Sequence, residues 1–120
     1  MAKLSEIKGD AVMDVVADLT GAVASIYQDD KCQAIFKNKK TPKCMTKEQF
    51  FASKVKDNVP YLIKEHKDDV IQILASLNQV DPAEYKANMT LQSLIADVFD
   101  VINDKELVAF LSSLGETPKA

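Results

Sequence analysis

The segment DAVMDVVADLTGAVASIY, residues 10–27, decides the fold class of this chain. Its apolar residues recur at the three-and-four spacing that places them on one face of an α-helix. Acidic residues at Asp10, Asp14 and Asp18 mark the opposite, solvated face, and Asp10 is predicted to cap the N-terminus of the helix. Gly21 lies inside this helix at a cost of about 1 kcal/mol relative to alanine, which indicates either a close helix crossing or a weak point. The apolar face comprises Val12, Val15, Val16, Leu19, Val23, Ile26 and Tyr27.

Local start signals divide the rest of the chain into further short helices. Thr46 and Gln49 form a capping-box pattern, and Asp81 precedes a proline at the first helical position. Further helix starts are predicted at residues 29–30, at Thr90, and at residues 103–104, while residues 61–77 form one helical segment in which a break near His66 stays open. We therefore predict an all-α, compact single domain of six or seven short helices over residues 1–115, with an exposed lysine-rich loop around residues 38–45 and a flexible tail at residues 116–120.

Composition supports one globular domain without a membrane segment. The 120 residues are 47% hydrophobic, enough for one core, and the three Gly and four Pro are too few for a disordered or linker-rich chain. The longest uncharged run, residues 70–80, is too short to cross a bilayer, and residues 1–6 do not resemble a signal peptide. We expect a soluble, cytoplasmic protein.

The charges are unevenly distributed along the chain. All 15 basic residues are Lys, so the chain lacks the arginine fork that reads guanine edges and grips phosphate. Residues 31–47 carry six Lys and no acidic residue, and they lie between two acidic segments. Only Phe36 interleaves these lysines, so a stacking platform for single-stranded nucleic acid is missing. We expect no nucleic-acid partner and interpret the basic segment as a solvated loop or a contact for an acidic protein.

The candidate chemistry of the chain is sparse. Cys32, Cys44 and His66 cannot fill a four-ligand zinc site without carboxylates, and a Cys–His pair chosen from them arises easily by chance. No phosphate-binding loop, metal-binding helix motif or nucleophile elbow occurs. The sequence therefore predicts no catalytic residue, no cofactor and no metal, and we do not expect an enzyme.

The last predicted helix carries more apolar residues than one buried face needs. An exposed remainder would form a groove or stripe for a partner helix. The residues that we predict to bind a partner are Leu107, Phe110, Leu111 and Leu114.

Most of the chain resembles one known family. The residues that carry the resemblance are Lys3-Leu4-Ser5-Glu6-Ile7-Lys8-Gly9, His66-Lys67 with Val70, Ile71, Ile73, Leu74, Ala75 and Leu77, Asp81-Pro82-Ala83-Glu84-Tyr85, Asn88, Leu91, Leu94, Val101-Ile102-Asn103-Asp104, Glu106-Leu107 and Phe110. In these positions the chain resembles the tail assembly chaperones of long-tailed bacteriophages and prophages, in their short, non-frameshifted form. The lysine-rich middle departs from that pattern, so the resemblance does not explain the loop.

The resemblance implies an all-helical, non-enzymatic protein of the host cytoplasm. Such a protein binds the tape measure protein, helps recruit the major tail protein that builds the tail tube, oligomerises with itself and is absent from the mature virion. A longer product made by ribosomal frameshifting near residues 117–119 belongs to the same expectation. The alternatives are a small helical transcriptional regulator and a generic protein-interaction module of prophage or bacterial origin; the missing arginines disfavour the regulator.

Overall fold

The computed structural model describes residues 6–36 and 42–115, and this part of the chain contains eight α-helices and no strand. The all-α prediction is confirmed, but the helices number eight rather than six or seven. The predicted loop around residues 38–45 falls partly, and the predicted tail at residues 116–120 entirely, outside the described residues. The helices are α1 (Asp10–Tyr27), α2 (Asp30–Phe36), α3 (Lys47–Asp57), α4 (Val59–Glu65), α5 (Lys67–Leu77), α6 (Pro82–Asn88), α7 (Leu91–Asn103) and α8 (Lys105–Gly115).

The helix count rises because the chain breaks at His66. This residue has φ −127° and ψ 39°, outside the helical region, and it ends α4 and precedes α5. The sequence left a break open here, and the structure shows that residues 61–77 do not form one continuous helix. The break brings the imidazole of His66 to the junction of two helices, which matters for the polar cluster described below.

Several predicted helix starts are confirmed by their capping hydrogen bonds. The Thr46 hydroxyl accepts from the Gln49 amide at 3.0 Å, and the Gln49 side chain accepts from the Thr46 amide at 2.9 Å. Asp81 accepts from the Ala83 amide at 3.0 Å before α6, and Thr90 forms a second capping box before α7. These side chains satisfy amides that have no partner within the first helical turn.

Two glycines of the first helix region have different roles. Gly9, not Asp10, is the N-cap of α1, and its φ of 69° lies in the left-handed region that glycine adopts without steric cost. Gly21 is exposed, and no heavy atom outside its own helix lies within 4 Å of the position that a Cβ would take. The prediction of a close helix crossing at Gly21 is therefore wrong. The alternative prediction, that Gly21 is a weak point of the helix, is consistent with the structure.

Helix α1 forms the centre of the core. It packs against α5, α8 and α2, while α3 packs against α2, α7 and α8. Between α2 and its neighbours, the Phe36 ring contacts the rings of Tyr27 and Phe51, with centroids 5.5 and 5.4 Å apart. The largest fully buried side chains come from four helices and are Leu19, Leu77, Leu107 and Cys32.

Candidate functional site

The predicted partner-binding residues of α8 lie against the core. Leu107 is fully buried and Leu111 is buried, while Phe110 and Leu114 are partly buried and pack on the same core. In this single chain, α8 is held by α1, α3 and α7. That these four residues contact a partner stays a prediction, and in this fold Leu107 and Leu111 have little surface to offer.

The exposed large apolar side chains lie mainly on two helices, on α1 at Val12, Met13 and Val16, and on α7. None of the 13 residues of this helix is buried, although it is rich in large apolar side chains. Leu91 is 75% exposed, Ile95 46% and Phe99 49%. Because these residues are four apart, they lie on one face of the helix. We call Leu91, Ile95 and Phe99 the α7 stripe.

The adjoining part of the same apolar face of α7 covers an apolar cavity. Val98, Val101 and Ile102 line this cavity, which has a volume of about 100 Å³ and otherwise apolar walls from α1 to α5 and α8. On the helix circumference Ile102 falls between Leu91 and Ile95, so α7 has one broad apolar face, of which the domain covers one part and leaves the stripe exposed. A helix of this kind is typical of a segment that packs between its own domain and a partner.

Polar contacts fix the position of α7 on the domain. The Tyr85 hydroxyl donates to Asp97 at 2.6 Å, and the Asn78 side chain donates to the same carboxylate at 3.4 Å. Burial, followed by the hydrogen bond to Asp97, raises the pKa of Tyr85. At the other end of α7, Asp104 caps α8 by accepting from the Leu107 amide at 3.2 Å, which confirms one of the two predicted starts of that helix.

A second feature is a polar cluster at the turn between α1 and α2. The imidazole of His66 lies between two carboxylates, with Nε2 2.9 Å from Asp29 Oδ2 and Nδ1 3.4 Å from Asp69 Oδ2. The Tyr61 hydroxyl donates to Asp29 Oδ2 at 2.7 Å. Cys32 is fully buried beside them in the first turn of α2. We call Asp29, Cys32 and His66 the α2 cluster; their ligand atoms all lie within 4.8 Å of one another.

The protonation of this cluster follows from its hydrogen bonds. The hydrogen bond from Tyr61 has the largest effect on Asp29 and the hydrogen bond from His66 the next largest, and together they lower the pKa of Asp29 to about 2. Burial lowers the pKa of His66, but the hydrogen bonds with Asp29 and Asp69 raise it by more, so the pKa lies above its usual value. Burial and then the Asp29 charge raise the pKa of the Cys32 thiol to about 11. At neutral pH, Asp29 is therefore ionised and Cys32 is a thiol.

This arrangement does not make Cys32 a nucleophile. A catalytic cysteine needs a lowered pKa and access to substrate, whereas Cys32 has a raised pKa and no exposed surface. Cys44, the other candidate thiol, is exposed and lies outside the cluster. What the cluster does in this structure is tie the α1–α2 turn to the junction between α4 and α5.

Sequence reasoning missed both features for physical reasons. Asp29 and His66 are 37 positions apart, and no local spacing signals a contact made by tertiary folding. The broad apolar pattern of α7 is visible in the sequence, but periodicity does not show which part of it the domain covers. No signal in the sequence distinguishes the exposed residues Leu91 and Phe99 from core residues.

Comparison with known proteins does not assign the chain to a family. No family model, no curated protein and no solved structure matches it. Within the described ranges 6–36 and 42–115, no helix has the length and apolarity needed to span a membrane.

Proposed function

We propose that this protein is a tail assembly chaperone of a long-tailed bacteriophage or prophage, a binding protein without catalytic activity. In this role it coats apolar helices of the tape measure protein in the host cytoplasm, helps recruit the major tail protein and does not enter the mature virion. Two observations support the proposal: the sequence resemblance, and the α7 stripe. The stripe carries it, because it gives the domain a surface for an apolar helix.

The α7 stripe fits an apolar helical partner. Residues at four-residue spacing present a narrow apolar ridge, and such ridges pack into the complementary face of another helix. Leu91 and Phe99 are separated by two turns of α7, so a partner helix could contact the stripe along most of its length. The cavity side of this broad apolar face would stay on the domain while the α7 stripe contacts the partner.

The size of the stripe favours reversible binding. Full burial of a large apolar side chain gains about 1.5–3 kcal/mol, so three side chains already half to a quarter buried gain on the order of 3–5 kcal/mol. This gain is comparable with the lower end of the free-energy cost of association. One copy therefore binds weakly, and many copies along a long partner, or self-associated copies, bind more tightly. Weak individual contacts also allow tube subunits to displace the chaperone.

Gene position is the simplest test of this proposal. We expect the gene to lie directly upstream of a very long, helix-rich tape measure gene and downstream of the major tail protein gene. A gene with neither neighbour would count strongly against the tail-assembly role.

The biochemical test is co-expression of this chain with the tape measure protein encoded beside it. We expect the two proteins to co-purify and Leu91→Glu to reduce the recovered partner severalfold, because a charge on the ridge must be desolvated in the complex. Met13→Glu is the matched control, since Met13 is 74% exposed on α1 and Leu91 75% exposed on α7.

Two outcomes would contradict the proposal. Failure of the wild-type chain to bind the tape measure protein would reject the chaperone function. Equal loss of binding in Leu91→Glu and Met13→Glu, with far-UV circular dichroism unchanged, would reject the α7 stripe as the binding surface.

A further inference from the structure

We propose that Asp29, Cys32 and His66 bind a divalent transition-metal ion, with zinc as the ion that suits this donor set best. Asp29 comes from the α1–α2 turn, Cys32 from the first turn of α2, and His66 from the junction of α4 and α5. One carboxylate oxygen, one sulfur and one imidazole nitrogen thus lie within 4.8 Å of one another. The site is independent of the α7 stripe and of the chaperone function.

The distances between the three ligand atoms are close to those between the ligand atoms of a bound zinc ion. Tetrahedral zinc with ordinary bond lengths places its ligand atoms roughly 3.4–3.6 Å apart. The separation of 2.9 Å between His66 Nε2 and Asp29 Oδ2 must therefore widen, by roughly half an ångström. A pair at the 4.8 Å limit must close by little more than 1 Å, which side-chain rotation can provide.

Neighbouring groups already orient two of the ligands. Asp69 lies 3.4 Å from His66 Nδ1, so that nitrogen can donate to a carboxylate while Nε2 faces the site. Metal-bound histidines commonly have such a carboxylate partner, which fixes the ring and its tautomer. The Asp29 carboxylate accepts from the Lys31 amide at 2.9 Å and from the Tyr61 hydroxyl at 2.7 Å. Both ligands are therefore held before an ion arrives.

The donor set defines the class of ion. Thiolate and imidazole select zinc and related transition metals over calcium or magnesium, which prefer oxygen. Binding releases the thiol proton of Cys32 and the Nε2 proton of His66 to solvent. The resulting thiolate and the Asp29 carboxylate balance the two positive charges of the ion. With three protein ligands, water takes the fourth position.

The site is partly open to solvent on one side. His66 and Asp69 line an open polar groove that also holds Lys64, Lys67 and Lys86; Asp29 does not line this groove, and Cys32 closes the site on the core side. The imidazole and the carboxylates are partly exposed, with 12% of the His66 side chain and 22% of the Asp29 side chain accessible. The site therefore combines a buried sulfur with nitrogen and oxygen ligands that solvent reaches.

The test is Co²⁺ titration of the untagged, full-length protein after treatment with a chelator. We expect one equivalent of Co²⁺ to produce thiolate-to-cobalt charge-transfer absorption and Zn²⁺ to displace it. Cys32→Ala should abolish this absorption and weaken metal binding at least roughly tenfold, while Cys44→Ala, which removes the exposed thiol, should change neither. Zn²⁺ should also raise the melting temperature of the wild-type protein but not that of Cys32→Ala.

A second variant keeps the test decisive if Cys32→Ala fails to fold. Asp69→Asn retains all three ligands and removes only the charge that orients His66, so it should weaken Co²⁺ binding by roughly tenfold with the charge-transfer band still present. The proposal is overturned if wild-type protein gives no thiolate band, or if Cys44→Ala rather than Cys32→Ala removes it. Melting curves of the wild-type protein that Zn²⁺ leaves unchanged would also overturn it, because an ion that binds only the folded chain must stabilise that chain.

Discussion

A side chain added at Gly21 and one added at Gly9 should have opposite effects on stability, although both glycines belong to the first helix region. Gly21 is exposed inside α1 with open space around its Cβ position, whereas Gly9 has a φ of 69° that other residues adopt only with strain. Gly21→Ala should therefore stabilise the protein by about 0.5–1 kcal/mol, through helix propensity and a less flexible unfolded chain.

Urea unfolding of the two alanine variants checks this contrast. Gly9→Ala should lower the free energy of unfolding by on the order of 1 kcal/mol because the left-handed conformation is costly for alanine. A Gly21→Ala variant that is less stable than wild type would mean that α1 packs more closely at this point than the structure shows.

His66 makes the stability of the metal-free protein depend on pH. Hydrogen bonds with Asp29 and Asp69 raise the pKa of His66 above its usual value of 6.5. Stabilisation from the protonated ring is therefore complete below that value and is lost as the pH rises through the raised pKa. Asp29 does not interfere, since its pKa of about 2 keeps it ionised across this range.

The variant His66→Gln isolates this effect. In the presence of a chelator, the difference in free energy of unfolding between wild type and His66→Gln should be larger at pH 5.5 than at pH 8.5. Urea titrations at the two pH values measure it. A difference that is constant, or larger at pH 8.5, would show that the imidazole is not held in its charged form.

Residues whose role is set locally were the ones that the sequence could predict. The capping box of Thr46 with Gln49 and the N-cap Asp81 depend on partners within three positions, so their spacing is sufficient. The contact between His66 and Asp29 depends on how α2 meets α4 and α5, which no local pattern contains. The only local sign in the sequence is the break that stays open near His66, and the structure places a non-helical residue there.

At the scale of the helices, α7 and α8 have similar apolar content but different surroundings. From the sequence, the apolar surplus is expected on the last helix, α8. The structure covers α8 with α1, α3 and α7, whereas α7 lies at the edge and keeps Leu91, Ile95 and Phe99 exposed. The sequence could predict that surplus apolar surface exists, but only packing order decides which helix carries it.

A pair of leucines distinguishes the two helices experimentally. Leu107 on α8 is fully buried, so Leu107→Ala should lower the free energy of unfolding by about 2–5 kcal/mol through lost burial and the cavity left behind. Leu91 on α7 is 75% exposed, so Leu91→Ala should change it by no more than about 0.5 kcal/mol. Urea unfolding of both variants under the same conditions measures the contrast. A tolerated Leu107→Ala would mean that α8 is detached from the core in solution, which would leave its predicted partner-binding residues accessible.

At the scale of the whole molecule, the domain combines a well-covered core with one helix whose broad apolar face is only partly covered. Helix α1 organises the core, and α7 covers the remaining cavity while exposing its stripe. A partner helix on the stripe would extend the core beyond the domain. This arrangement fits a protein that shields the apolar helices of a longer partner and later releases them.

Hydrogen exchange of the complex with the tape measure protein tests this account most directly. The amides of α7, residues 91–103, should exchange more slowly in the complex than in the free chain, because partner contact suppresses local opening of a helix without buried residues. The amides around Met13 on α1 should exchange at an unchanged rate. A stable complex in which α7 gains no protection, or in which only another helix does, would contradict the claim that the α7 stripe binds the partner.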